Sequence, residues 1–336
     1  MRILVLVGVV TVLTGAGLHV WWNTDAFGRD DFCDGALSSA EVGAVLDGTG
    51  RLTQASDGLT PDATAPSCEV RRTSRLLGAE QPRLTVGLSN ERADFAFQTV
   101  VWKNPSGMSY LVGGATGAVS DTRGWVMLPA ACRSKLGVDF GKTGTVPVIE
   151  VNVTDGDSTR QAVARVAVDA ARHVTEKAGC PDKALRSPVR LRGPVDSGHV
   201  RRSDTNKVCG IKGFRLPERA FIRGKAAPGT ELYTGSGTRT WACDVYLQGR
   251  STPQLTFSFS QDPVLAEAAR FNGSKGTLGT HTMVKCGPEE AYVGVEHNSA
   301  YQDLWLDNSP ADDDLDRVLR SFATAVAKDR GCTTAP

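Results

Sequence analysis

Across residues 161–177 the apolar side chains Val163, Val166, Ala167, Ala170, Ala171 and Val174 recur at three- and four-residue spacing, before Gly179. That period places one apolar stripe on a helix, and the glycine stops it. Two other stretches alternate instead: Leu84, Val86 and Leu88 within 83–89, and Leu255, Phe257 and Phe259 within 254–260. A two-residue period is the mark of a half-buried strand. Each alternating stretch follows a matching phrase, Ser67-Cys68-Glu69-Val70 and then Ala242-Cys243-Asp244-Val245. The pattern therefore occurs twice. In the first copy a short helix capped at Ser38 or Ser39, with Glu41 and the apolar Val42, Val45 and Leu46, precedes a Gly/Ser/Pro-rich loop over 49–66. Strands around Cys68 and Leu84 come next, then a helix over 89–98, strands over 125–132 and 147–154, and the long helix. The second copy repeats the order from Cys209: strands at Cys243 and Leu255, a short helix opened by Asp262-Pro263, strands over 280–286 and 291–297, and a helix over 312–328. The expected fold class is α+β, two tandem copies of a helix plus mainly antiparallel sheet module.

The eight cysteines obey the same duplication, Cys33 aligning with Cys209, Cys68 with Cys243, Cys132 with Cys286 and Cys180 with Cys332. An even number at matched spacing, with no Cys-x-x-Cys pair, points to a disulfide framework in an oxidising compartment rather than to zinc or a redox dithiol. Four cysteines per copy allow three pairings. In each copy the strand that leads to the third cysteine turns into an antiparallel strand, and a helix of about 17 residues then runs back by roughly 26 Å. That path leaves Cys180 near Cys132 and Cys332 near Cys286, so by elimination Cys33 pairs with Cys68 and Cys209 with Cys243.

Residues 3–22 carry no acidic or strongly basic side chain, long enough as a helix to cross about 30 Å of hydrocarbon. Arg2 precedes this segment and Asp25, Asp30 and Asp31 follow it, which orients the remainder outside the cytoplasm. The expectation is one N-terminal transmembrane helix over 1–22 in the cell membrane, with cleavage of a signal peptide near Thr14-Gly15-Ala16, and hence secretion, as the alternative. Leu13-Thr14-Gly15-Ala16 has the outline of a lipobox, but Ala16 stands where the lipidated cysteine belongs. The expected division is 1–22 anchor or signal, 23–32 linker, 33–180 first module, 181–207 Pro/Arg-rich linker, 208–332 second module and 333–336 tail.

The order of cysteine, short helix, Cys-Glu/Asp-Val strand, later cysteine and final alanine-rich helix ending Gly179-Cys180 or Gly331-Cys332 resembles uncharacterised disulfide-stapled extracytoplasmic modules of actinobacterial lipoproteins and membrane proteins. The resemblance implies an envelope location and a binding or sensing role. It lends no catalytic residues, and Ala16 departs from its lipobox cysteine.

A formal net charge of +1 gives no footprint for nucleic acid, so none is expected as a partner. Gly141-Lys142-Thr143 lacks the upstream glycine of a phosphate-binding loop, and Gly235-Ser236-Gly237 has no strand-to-helix setting. Of five histidines, His19 lies in the apolar segment and His199 in the linker, leaving His173, His281 and His297 without a partner at metal-ligand spacing. Asp155-Gly156-Asp157 and Asp312-Asp313-Asp314 each precede a helix, where carboxylates cap free amides, so no metal or cofactor is expected. Arg186, Arg190, Arg192, Arg201 and Arg202 in the linker suit either a solvated connector or an anionic polymer or lipid head group.

Ser89 to Cys132 is 43 positions and Ser260 to Cys286 is 26, so the first copy carries an insert of about 17 residues within 100–117, holding Trp102, Met108 and Tyr110. The second copy has its own excess over 298–311, with Tyr301, Leu304, Trp305 and Leu306. Aromatic loops on a rigid scaffold are where binding residues gather, which makes Trp102, Tyr110, Tyr301 and Trp305 candidate binding residues, or else covers of a core edge. The functional expectation is a non-catalytic envelope protein that binds an unidentified protein, polymer or small ligand and touches the membrane through its N-terminal segment. The alternative is an envelope-acting hydrolase or transferase.

Overall fold

The computed structural model describes residues 24–25, 28–56, 58–59, 66–73, 81–95, 101–113, 115–132, 135–136, 144–180, 183–185, 189–194, 199–216, 228–234, 238–272, 279–298, 301 and 314–334, with Thr14 and Gly17. In chain order the first half carries β1 (Asp31–Phe32), β2 (Leu37–Ser38), α1 (Ser39–Val45), β3 (Arg51–Gln54), β4 (Ser67–Thr73), β5 (Arg83–Arg92), β6 (Ser109–Val112), β7 (Gly117–Val119), β8 (Arg123–Met127), β9 (Thr145–Thr154) and α2 (Arg160–Lys177). Between the halves lie β10 (Arg190–Arg192) and β11 (Arg201–Arg202). The second half carries β12 (Pro228–Tyr233), β13 (Thr240–Leu247), β14 (Leu255–Ser260), α3 (Pro263–Ala269), β15 (Gly279–Cys286), β16 (Glu289–His297), α4 (Asp314–Arg330) and β17 (Thr333–Thr334).

Strand pairing is antiparallel throughout, in a β1-β2 ribbon, an eight-stranded sheet ordered β10-β6-β7-β8-β9-β5-β4-β3, and a seven-stranded sheet ordered β11-β12-β13-β14-β16-β15-β17. One five-strand frame recurs, β3-β4-β5-β9-β8 in the first half and β12-β13-β14-β16-β15 in the second. The registers match as well: Cys68 opposes Val86 and Val86 opposes Val151, while Cys243 opposes Phe257 and Phe257 opposes Val295.

The two-residue period sends each strand's side chains to two faces. In the first half Cys68, Val70, Leu84, Val86, Ile149 and Val151 meet Val163, Val166, Ala170 and Val174 of α2. In the second, Trp241, Cys243, Phe257, Phe259 and Val293 meet Val318, Phe322 and Val326 of α4. Parts of the opposite faces meet across the two halves. A third apolar cluster draws on both halves, taking Phe95, Trp102, Tyr110, Trp125, Val146 and Val148 from the first and Ala242, Leu265 and Tyr292 from the second.

This arrangement corrects the expected fold class. The described residues form 17 strands against four helices, a mainly antiparallel β protein rather than an α+β one, because each long helix covers a single sheet face and part of the other face packs against the partner half. Nor is the expected transmembrane helix shown: among the described residues no helix is long and apolar enough to cross a membrane. Except for Thr14 and Gly17, the segment 1–22 lies outside the described residues.

Local signals explain the element ends. Ser38 caps α1 by accepting from the Glu41 amide, and the Glu41 carboxylate accepts from the Ser38 amide at 2.8 Å, a complete capping box. Both long helices end in the same left-handed glycine, Gly179 at φ 68° and Gly331 at φ 67°. In each, the cysteine that follows donates its amide to the carbonyl five residues back, Cys180 to Thr175 and Cys332 to Ala327, both at 2.8 Å. The turn thereby aims each cysteine at its strand. All eight cysteines are bonded, as Cys33–Cys68, Cys132–Cys180, Cys209–Cys243 and Cys286–Cys332, the pairs expected from the strand and helix path. Loops of this length contribute about 4 kcal/mol each by restricting the unfolded chain.

Three local expectations change. Within 89–98, residues 89–92 continue β5, which pairs with β9 as far as Arg92 opposite Thr145, so the ladder takes the backbone groups a helix would have used; residues 96–98 lie outside the described residues. The strand over 125–132 stops at Met127, and Ala130–Cys132 is a 3-10 turn. The Pro/Arg-rich linker is stitched to both sheets, Leu191 opposing Leu111 and Arg201 opposing Glu231. Glu231 is fully buried, accepts from Arg201 at 2.7 Å and from the Cys209 amide at 3.0 Å, and is pushed above the usual carboxylate range by burial, which those two partners only partly oppose.

Candidate functional site

β15 and β16 are joined by the two-residue turn Gly287-Pro288, with Gly287 at φ 67°, so the hairpin closes on the pair Cys286 and Glu289. A two-residue hairpin closes on a pair that exchanges both bonds, and alternate residues then turn their backbone groups the other way. The groups of Cys286, Val284, Thr282 and Thr280 therefore face β16, and those of Lys285, Met283 and His281 face outward. Consistent with this, the Lys285 carbonyl accepts from the Thr333 hydroxyl of β17 at 3.4 Å. β17 pairs only with Val284 and Lys285. Beyond it, between the outer edge of β15 and helix α4, lies a cleft of about 370 Å³. Leu319 and Ala323 of α4 give it an apolar wall, Thr280 and Thr282 line the strand side, and Asp316 and Arg320 stand at its mouth.

His281 is buried, its Nε2 lies 3.1 Å from the Ala269 carbonyl, and burial lowers its pKa against that contact and the Asp94 charge. His297 Nδ1 lies 3.4 Å from the Asn298 carbonyl. Burial, then Lys177, lowers the His173 pKa against Asp34 and Glu176. No free cysteine exists, and among the described residues no group of three or more His, Cys, Asp or Glu is placed to hold a metal.

Asp244 and Asp169 are among the buried acids outside the cleft. Asp244, on the face of β13 opposite Cys243, accepts from Thr256 Oγ1 at 2.6 Å and from Ser106 Oγ of the first half. Burial pushes its carboxyl up to about 6, although both hydroxyl bonds oppose the shift. Asp169 of α2 is pushed up to about 7, first by burial, then by its hydrogen bond to Glu41 and by the Glu41 charge, against Arg172. Glu41 feels burial too, but its bonds to Asp169 and Ser38, with Arg172, hold it below the ordinary range. This carboxylate pair joins α1 to α2, with one proton shared below about pH 7.

The aromatic candidates of the inserts fall elsewhere. Trp102 is fully buried, donates Nε1 to the Arg92 carbonyl at 3.0 Å, and lies edge-on to Trp125 at 4.9 Å. Tyr110 is buried and donates its hydroxyl to the Pro105 carbonyl at 2.9 Å. Tyr301 is buried in the second half's own core, and Trp305 lies outside the described residues. The structure thus places Trp102, Tyr110 and Tyr301 in cores and not on a surface open to a partner. The cleft escaped the sequence reading although its signal was present: it occurs in the copy that lacks the insert. Comparison with protein-family models, with curated proteins and with solved structures finds no match.

Proposed function

We propose that this chain is a non-catalytic extracytoplasmic binding protein of the cell envelope, built from a duplicated disulfide-stapled frame, in which the second copy carries the ligand site. The observation that carries this reading is the β15–α4 cleft, apolar on one wall, polar at the strand and mixed in charge at its mouth. Four disulfides fit an extracellular, oxidising location. On the same cysteine framework we propose kinship with the extracytoplasmic modules of actinobacterial envelope proteins.

The test is a titration of the isotopically labelled protein with envelope-derived peptides, glycans and anionic polymers. Saturable shifts at the methyl groups of Thr282, Leu319 and Ala323 are expected for at least one class, without turnover. Thr324→Trp, at an exposed rim position, should keep the melting temperature and lose those shifts at least tenfold in apparent affinity. Hydrolysis or transfer of any panel member by the wild type, or saturation only at sites away from the cleft, overturns the reading.

A further inference from the structure

We propose that the outer edge of β15 accepts an extended peptide segment of a partner protein as an added antiparallel strand, an inference that rests on the binding reading and names its ligand class. The argument comes from the first half, where the corresponding position is filled. The shared register aligns Gly124, Trp125, Val126 and Met127 of β8 with Thr280, His281, Thr282 and Met283 of β15, because Gly124 opposes Val151 and Thr280 opposes Val295. On the outer edge of β8 lies β7, with Ala118 opposite Trp125 and Val119 opposite Gly124. The Met127 amide donates to the Thr116 carbonyl at 2.8 Å, and the Ser120 amide donates to the Arg123 carbonyl at 2.7 Å. β7 lies between β8 and β6 in the sheet and under α2, with Val119 in the core that α2 covers and Ala118 in the core shared by the two halves.

In the second half the same place, between β15 and α4, is the 370 Å³ cleft. Among the described residues no strand pairs with the outward backbone groups of His281 and Met283, the counterparts of Trp125 and Met127. An edge of this kind is a ready template for another chain, with main-chain bonds giving affinity and the flanking walls choosing alternate side chains. By the β7 precedent, the peptide presents an aliphatic or β-branched side chain to Leu319 and Ala323 and a small residue opposite His281.

The experiment uses the full chain and a capped synthetic peptide copying residues 115–120, the strand that fills the equivalent place. Without peptide, the His281 and Met283 amides should exchange with solvent at least tenfold faster than those of Trp125 and Met127. Saturating peptide should slow His281 and Met283 by at least tenfold. The same peptide with Ala118→Pro, which has no amide to donate at that position, should not. Amides at His281 and Met283 that are already as protected as those of Trp125 and Met127 overturn the proposal, because the edge is then covered. Rapidly exchanging amides that the peptide leaves unchanged also overturn it. In either case saturation of the cleft by another member of the envelope panel leaves the binding reading standing, whereas silence from the whole panel removes both.

Discussion

At matched positions on the faces turned away from their long helices, the first half has Trp125 where the second has His281, Val148 where it has Tyr292, and half-exposed Glu69 where it has buried Asp244. Where the halves meet, the first face offers Val146, Val148, Trp125 and Met127, while elsewhere it carries half-buried Glu69 and Glu150 and exposed Asn152; the second face is largely polar, yet it is buried against the first. This is possible because the polar face is bonded by the other half: Ser106 donates to Asp244, and Ser258 and Tyr292 both donate to the Phe95 carbonyl at 3.3 Å. Asn272 adds a bond to the Gly144 carbonyl at 2.8 Å. Apolar area supplies most of the attraction between the halves, and these paired buried groups set their register, since a slipped arrangement would leave each of them unsatisfied.

The largest effect should come from breaking the apolar side of this comparison. Trp102→Ala is expected to cost about 3–5 kcal/mol in denaturant unfolding. It should also separate one transition into two, with the disulfides keeping each half's own core intact. A loss under about 1 kcal/mol would show that the shared cluster does little to join the halves.

The polar side is tested by pH. The native carboxyl of Asp244 holds its proton to about 6, above the ordinary 3.8, so the native state binds that proton more tightly than the unfolded chain. Its contribution is complete below about pH 4 and is lost as pH rises towards 6. Asp244→Asn should flatten that window by an amount on the order of 2 kcal/mol relative to wild type. The first half has its own proton, on Asp169, whose decline extends to about pH 7 and should persist in the Asp244→Asn protein. A wild-type stability that instead rises between pH 4 and 6, with no difference in the variant, would show that Asp244 is ionised when folded.

The smallest effect sharpens a third difference. Ser38 completes a capping box on α1, while the second half has at Val208–Gly210 a 3-10 turn without a side-chain cap. Ser38→Ala should cost about 1 kcal/mol by thermal unfolding, without altering the second half's amide exchange.

The frame was legible because its signals are local or repeated. Cysteine spacing showed the duplication, the stripe from Val163 to Val174 showed α2, and Gly179 and Gly331 marked where the long helices stop. Residues 89–92 misled because pairing with β9, a partner some sixty residues away, overrides a helical composition. Trp102 and Tyr110 left two readings open for a related reason: a sequence records that a loop is aromatic, not that the other half of the chain lies over it. The cleft is harder still to read, since it is an absence. The 26 positions between Ser260 and Cys286, against 43 in the first copy, mark the copy in which no described strand pairs with the outer edge at His281 and Met283.

The disulfides have a consequence for biogenesis. Each cysteine is bonded to the next one along the chain, Cys33 to Cys68, Cys132 to Cys180, Cys209 to Cys243 and Cys286 to Cys332. A polypeptide delivered N-terminus first into an oxidising space, and joined in order of arrival, reaches the native set without any bond having to be broken. Both bonds of the first half are closed before Cys209 emerges, so the duplicated frames never compete for each other's thiols. Where the bonds close in that order, an oxidant alone reaches the native set, and no isomerase is needed to reorder them.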